Sequence, residues 1–403
     1  MQFDWLPMFR NRVPRIVRPW VYVLLAFLFQ MSGGMYMGAV GDIVSGRQFL
    51  REDVLMCLYC NLAGMSVYFP LLFRLKFHFP NKVLMLGAAG GLAVCTFLVP
   101  LAPNLPCLWA LCVITGFCKI QGTFECLSSI QLWITPKRDF RVFFSVLHIF
   151  ILGAMQITDY LAAYVAYVWR WEYMHLIMCA VYLTVVVALL ILTKRIRLIP
   201  DVPMKDIDWL GGILWLAWLL QSAALFCYGH TLDWFHSESM RALLVTTVLT
   251  LGAAVAHSFL AVHPFISPEI FKGKRVVAAF VVVALAEFLL ATENVLEEVF
   301  YEVGMDYSNM QTAATDVWSF IGVVGGSLFA LLWMKVLNFS PLRLTTVSFW
   351  LIAAYVILFY NIIASDFDYR SLRLLIVLRT SGYAMVGASL MVILNKLDRK
   401  SVV

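Results

Sequence analysis

The sequence predicts an all-α membrane protein with about twelve transmembrane helices. Three observations predict it. Apolar residues make up 62% of the 403-residue chain. Asp, Glu, Lys and Arg together make up 13%, against about 25% in soluble globular chains. The apolar residues also come in long runs of about 20, the length that crosses a ~30 Å hydrocarbon core as a helix. Barrel strands would instead alternate and run about 10 residues. So little charge cannot cover the surface of a soluble enzyme, a disordered chain or a nucleic-acid binder. The formal charge of +6 sits in short loops, where it sets topology.

The first run, Pro19–Val40, follows a basic stretch carrying Arg10, Arg12, Arg15 and Arg18. It is too long for a signal peptide and shows no small-residue cleavage site. Asp53–Phe73 holds Cys57 and Cys60 as a C-x-x-C. Inside a membrane helix these read as small packing residues, not as redox or metal ligands. Lys82–Pro100 and Pro106–Trp133 follow, the second closing on an interfacial Trp. Val142–Val168 and Tyr173–Thr193 flank Trp169-Arg170-Trp171. A basic linker, Lys194–Asp208, leads to Trp209–Tyr228 and Arg241–Val262. The last four runs are Val276–Tyr301, Gln311–Lys335, Leu342–Ile363 and Leu372–Asn395. No soluble domain fits between them. With the N-terminus in the cytoplasm, nineteen Lys and Arg fall on the cytoplasmic side and six on the other, which sets the orientation.

Local strings resemble the major facilitator superfamily. Lys119-Ile120-Gln121-Gly122 in the fourth run is similar to the R-x-x-Q-G of that superfamily's fourth helix, with Lys for Arg. Trp169-Arg170-Trp171 resembles the W-R-W of the fourteen-helix drug:proton antiporter branch, the EmrB/QacA-like proteins. Asp208-Trp209-Leu210-Gly211 is similar to that branch's D-x-x-G, and His263-Pro264-Phe265-Ile266 through Phe271-Lys272-Gly273-Lys274-Arg275 to its H-P loop. The chain departs from the superfamily between the second and third runs, where Phe73 to Lys82 lacks both motif glycines and the acid. The first-helix acid of the branch is also missing, with Ser32, Gly33 and Gly34 nearby.

The resemblance implies a major facilitator-type helical bundle with this organisation: a six-helix N-terminal half over 1–193, a linker and two inserted helices over 194–262, and a partial C-terminal half over 263–397. Residues 398–403 back-translate to part of a common sequencing adapter. They are read as a library remnant, and a longer natural chain is expected. The resemblance further implies a bacterial cytoplasmic (inner) membrane protein that is not an enzyme and needs no cofactor or metal. Its substrate would be a small molecule moved with protons across the lipid bilayer. A periplasmic adaptor and an outer-membrane channel are the implied partners, and nucleic acid is not one. The implied activity is proton-coupled export of amphipathic or aromatic small molecules. A carrier of another solute, such as a sugar or organic acid, remains open, as does an inactive fragment. A membrane-embedded enzyme also remains open, although the seven histidines form no H-x-x-H set.

Ionisable residues at bilayer depth cost about 2.5–3.5 kcal/mol on insertion scales, so each is a candidate for function. They are Lys119, Glu125, Asp159, Glu287, Glu293, Asp316 and Arg379. Helix rise puts Lys119 roughly 21 Å and Asp159 roughly 25 Å from the cytoplasmic ends of their runs, a level match that allows a proton-linked pair. Glu125 at about 12 Å matches His148 at about 9 Å, and Glu293 at about 25 Å matches Arg379 at about 24 Å. Asp159 is the expected titrating acid and Lys119 its cation, with Gln121 beside them in the motif. Glu297 and Glu298 read as solvated rim near the end of the ninth run. Tyr36, Tyr59 and Phe124 are candidate cavity aromatics, with packing the simpler role. The pairs Gly33-Gly34, Gly90-Gly91 and Gly325-Gly326 permit close helix contact.

The orientation has a direct test. A reporter active only outside the cytoplasm, fused ahead of Arg10, is expected to stay silent; a strong signal would reverse the topology.

Overall fold

The computed structural model describes residues 9–10, 13–135, 139–196, 207–362 and 369–401, with backbone alone at 275, 290, 292–295, 298, 302, 362, 369–370 and 397–401. In chain order the helices are α1 (Val17–Gln30), α2 (Val40–Arg47), α3 (Arg51–Tyr68), α4 (Leu72–His78), α5 (Asn81–Leu98) and α6 (Leu105–Ile134). Next come α7 (Phe140–His148), α8 (Ala154–Val168), α9 (Trp171–Leu192), α10 (Trp209–Tyr228) and α11 (Glu238–Leu260). The last are α12 (Lys274–Val299), α13 (Asn309–Leu331), α14 (Pro341–Ile362) and α15 (Tyr369–Ser401). Among the described residues, ten helical spans are long and apolar enough to cross a membrane. The chain is an all-helical, multi-pass membrane protein. The last expected run is α15, which continues through Ser401; Val402 and Val403 lie outside the described residues.

Two expected spans are corrected. Pro19–Val40 is not one helix: α1 stops at Gln30, and helix resumes only with the short turn Met37–Ala39 and α2. Ser32-Gly33-Gly34 is the cause. The Ser32 hydroxyl donates to the Phe29 carbonyl at 2.8 Å, and Gly34 takes φ +78°, which no helix allows and a side chain resists. The second span runs past Phe73 through α4 to His78. Its natural stop is Pro80, whose ring disfavours helix in the residue before it.

The contacts divide the chain into two units. The larger holds the described residues within 2–130 and 168–268, the smaller those within 131–167 and 269–403. α7 and most of α8, expected with the N-terminal half, group with the later helices, and α10 and α11, expected as an inserted pair, group with the first ones.

In the larger unit α5 lies along α9, and α10 packs on both α3 and α11. The Tyr228 hydroxyl at the end of α10 donates to Asp53 of α3 at 2.5 Å. The other Asp53 oxygen accepts the Leu50 N–H at 2.9 Å, capping α3. Asp208 ties three segments together. It caps α10 through the Gly211 N–H at 2.8 Å, accepts the Phe265 N–H at 3.0 Å, and meets His257 Nε2 of α11 at 2.8 Å. Thus the D-x-x-G and H-P strings, far apart in sequence, meet at one carboxylate. Partial burial opposes its ionisation, but the bonds from Gly211, His257 and Phe265 more than offset this and hold its pKa below the ordinary value.

In the smaller unit α15 is contacted by α7, α12, α13 and α14. Ala330, Met334, Leu344, Met385, Ala388 and Val392 form a core there, with Phe144 against it. Close crossing needs residues without side chains. A Cβ on Gly326 would sit 2.4 Å from the Ser381 carbonyl oxygen, and one on Gly322 would sit 2.0 Å from Thr380 Oγ1. Gly322 and Gly326 therefore make the small-residue contact; Gly325 meets Ser381 Oγ only at 4.0 Å. The substitution Gly326→Ala is expected to cost ~1–3 kcal/mol by overpacking against backbone, read as a lower melting temperature in detergent. The same change at Gly90, which has open space around it, is expected to leave the melting temperature unchanged.

Candidate functional site

In each unit a buried carboxylate lies against a cation. In the larger unit Glu125 of α6 is fully buried, and its carboxylate lies 3.4 Å from Lys76 Nζ of α4. Gln121, one turn earlier on α6, donates to Glu125 at 3.3 Å. The Lys76 ammonium also bonds Ser128 Oγ and sits 5.0 Å over the Phe124 ring. The expected second run ends at Phe73, which leaves Lys76 in the loop that follows it. The longer second span carries it into the bundle, where its flexible stem lets the head reach an acid. Its signal in the sequence was Pro80, which puts the helix end after Lys76.

In the smaller unit Arg379 of α15 meets Glu297 of α12 at 3.1 Å, both side chains nearly closed to solvent. The Tyr355 hydroxyl also donates to Glu297, and the guanidinium lies 6.0 Å from the Tyr355 ring. Glu297 is only 4% exposed, which overturns its reading as solvated rim. It stands one helical turn beyond Glu293, so both share a face of α12. The Glu293 side chain lies outside the described residues. Tyr383, one turn beyond Arg379 on α15, donates its hydroxyl to Glu287 of α12 at 2.9 Å.

The other expected residues are distributed as follows. Lys119 is half-buried on α6 in the larger unit, and Asp159 and Asp316 are half-buried in the smaller one. Glu125 pairs with Lys76, while His148, its expected level partner, bonds the Phe144 carbonyl at 3.1 Å in the smaller unit. Tyr36 is buried, Phe124 lies under Lys76, and Tyr59 is 42% exposed. Cys57 and Cys60 are buried free thiols. Among the described residues, no group of three or more His, Cys, Asp or Glu could hold a metal ion.

Another ionic cluster lies at the ends of two spans of the smaller unit. Asp139 caps α7 and receives Arg141 Nε at 3.0 Å and Lys335 Nζ at 2.9 Å. Arg141 also donates to the Met334 carbonyl at 3.0 Å and Asn338 at 2.9 Å. The Arg141 bonds, with Lys335, hold the Asp139 carboxyl well below the usual range against a small burial cost. The motif reading did not mark this cluster, because its members are about 200 residues apart.

No protein-family model and no curated protein matches the chain. Solved structures do. The chain is similar to the MFS (major facilitator superfamily) proton:xylose symporter XylE bound to 6-bromo-6-deoxy-D-glucose, at 15% identity over 92% of this chain and 80% of that one, with a TM-score of 0.49. It is similar to the xylose transporter XylE from E. coli in a partially occluded inward open conformation, at 14% identity, 94% and 87% coverage and a TM-score of 0.48. It is also similar to the nucleoside transporter NupG, at 13% identity, 91% and 80% coverage and a TM-score of 0.44.

The Asp139 cluster supports a pH-dependent prediction. A double-mutant cycle of Asp139→Ala and Lys335→Ala is expected to show ~0.5–1 kcal/mol of coupling, since the Lys head is half-exposed. The Asp139 pKa is depressed in the fold, so this stabilisation is complete above the ordinary carboxylate range. It fades as pH falls through the lowered value. Thermal melts of the four proteins across acidic pH check both points.

Proposed function

We propose that the chain is a major facilitator-type secondary transporter that couples movement of a small solute to protons. The observation that carries this is the buried Glu297–Arg379 pair, tied to Tyr355 inside a multi-pass helical bundle. A static pair of this kind is often no more stable than packed hydrophobic residues would be. Its use lies in what happens on separation: a buried carboxylate that loses its cation takes up a proton. Lys76–Glu125 is a second pair of the same chemistry in the larger unit. The superfamily-like strings at Lys119 to Gly122 and Trp169 to Trp171 support the architecture, and the chain has no P-loop, so it lacks that route to ATP. The basic asymmetry of the loops supports a cytoplasmic N-terminus in an inner membrane. Asp159, with Lys119, is the other candidate coupling acid.

Export of amphipathic or aromatic compounds and carriage of a polar solute are the two substrate classes. The many buried polar side chains of the larger unit, Gln30, Ser32, Asn61, Gln121, Thr123 and His175 among them, favour the polar one.

Reconstitution tests the coupling. In proteoliposomes with an imposed pH gradient, the wild-type protein is expected to concentrate a solute and move protons with it. Glu297→Gln keeps the shape but cannot ionise, so it is expected to retain solute exchange while losing gradient-driven uptake at least ~10-fold. Uphill transport by Glu297→Gln at the wild-type rate would move the coupling role to Asp159 or Glu125, each tested by the same amide substitution.

A further inference from the structure

The break in α1 places a polar, aromatic cluster deep in the larger unit. Gln30, where α1 ends, lies about 20 Å along the helix from Val17. Six residues on, Tyr36 is extended, at φ −88° and ψ 112°. Its ring packs on His175 of α9, with centroids 4.8 Å apart. Trp171, one turn earlier on α9, stands edge-on to the same imidazole at 5.8 Å. Tyr36 is 2% exposed and His175 is 0% exposed.

Three polar atoms of this cluster have no hydrogen-bond partner among the described residues: Tyr36 Oη, His175 Nδ1 and His175 Nε2. Neighbouring buried polar side chains of the unit are satisfied locally. Asn61 Nδ2 donates to the Cys112 carbonyl at 3.3 Å, Ser32 to Phe29, and Tyr182 Oη to the Leu28 carbonyl at 3.0 Å. A histidine buried with neither nitrogen bonded is rare, because desolvation is then uncompensated. Tyr36 and His175 thus bring together donors and acceptors that no side chain among the described residues satisfies.

We propose that Tyr36 and His175 form a binding subsite for a neutral, hydroxyl-bearing solute, seated where α1 is unwound. The chemistry follows from the donor set. Neutral imidazole presents one donor and one acceptor, and the Tyr hydroxyl presents one donor and can accept. A guest that both donates and accepts satisfies all of them; a hydroxyl group does, and neighbouring hydroxyls on one carbon chain do so at two points. A carboxylate would leave the acceptors bare, and an ammonium would leave the donors bare. A cation is further disfavoured by Arg47, whose guanidinium lies 5.7 Å over the Trp171 ring and donates to the Ala102 carbonyl at 3.1 Å. The rings of Tyr36 and Trp171 supply apolar faces for the carbon skeleton. Gly34, with its positive φ, has Cys112 Sγ 3.3 Å and Asn61 Nδ2 3.5 Å from where a side chain would begin. The unwound turn therefore sits hard against α3 and α6. The assignment rests on the transporter reading and names the solute class and its contact residues.

The test is equilibrium binding of radiolabelled ribitol, glucose, inositol and glycerol to the full-length protein in detergent, with no pH gradient. Tetraphenylphosphonium and benzoate serve as charged probes. At least one polyol is expected to bind and to raise the melting temperature. Tyr36→Phe and His175→Phe, which keep aromatic bulk and remove the polar atoms, are expected to weaken that binding about 10-fold or more. If His175→Phe fails to fold, Tyr36→Phe carries the test alone. The opposite result is equally sharp. If these variants melt higher and bind every probe as the wild type does, the cluster is unsatisfied packing or holds a buried water only, and the proposal is overturned. It is also overturned if no polyol binds the wild type, or if only the charged probes do. Because binding is read without a gradient, failure of Glu297→Gln to uncouple transport leaves this result standing, and the reverse holds too.

Discussion

Hydrocarbon offers no hydrogen-bond partner, and everything in this protein answers to that constraint. Backbone groups must be paired within each segment, which leaves helices as the spanning element. Side-chain hydroxyls meet the same demand by bonding back to their own helix. Thr96, Thr115, Ser145, Thr158, Ser348 and Thr380 all donate to the carbonyl four residues earlier. Ions meet it by pairing. Glu125 finds Lys76, and Glu297 finds Arg379, because breaking one partner away would strand a charge in a low dielectric.

The same constraint explains how the ends of the spans are organised. Helix termini leave orphan N–H groups, and a few carboxylates gather them. Asp208 joins α10, α11 and the segment at Phe265, and Asp53 caps α3 while holding the end of α10. Asp139 caps α7 and binds Arg141 and Lys335. One acid thus serves several donors, which suits a chain in which only 13% of residues are charged. Lys82 does the reverse job, donating to the Leu190 and Thr193 carbonyls at the end of α9, where the helix dipole favours a cation.

Against this economy, α1 stands out. Its helix is interrupted by Ser32, Gly33 and Gly34, and the turn faces a tyrosine and a histidine whose polar atoms are unmatched. Irregular backbone at membrane depth is tolerated where it is buried in protein or lines a cavity. In transporters built from helical repeats, interrupted helices lie beside substrate sites. In the proposed transporter, the buried ion pair of the smaller unit and the unwound turn of the larger one would answer two separate needs: the first would handle charge and the second would recognise a neutral group.

Much of this was legible in the sequence. Long apolar runs set the spans, since the helix rise and the bilayer thickness are both fixed lengths. Trp209–Tyr228 matches α10 to the residue, and Pro106–Trp133 matches α6 to within one residue at each end. The depth argument also found Arg379; the α12 contact that the structure describes for it is Glu297, one turn beyond the expected Glu293, whose side chain lies outside the described residues. Depth is one coordinate, and one helical turn on the same face shifts it by only about 5 Å. Which helix faces which, and at what rotation, is decided by side-chain packing across segments far apart in the chain. That is why Lys76 reached Glu125, why Asp139 gathered Arg141 and Lys335, and why α7 and most of α8 grouped with α13 and α15. Tyr36 and His175 are separated by more than a hundred residues, and neither belongs to a motif. Their meeting is a product of the tertiary structure alone, because only the break in α1 turns the Tyr36 ring onto α9.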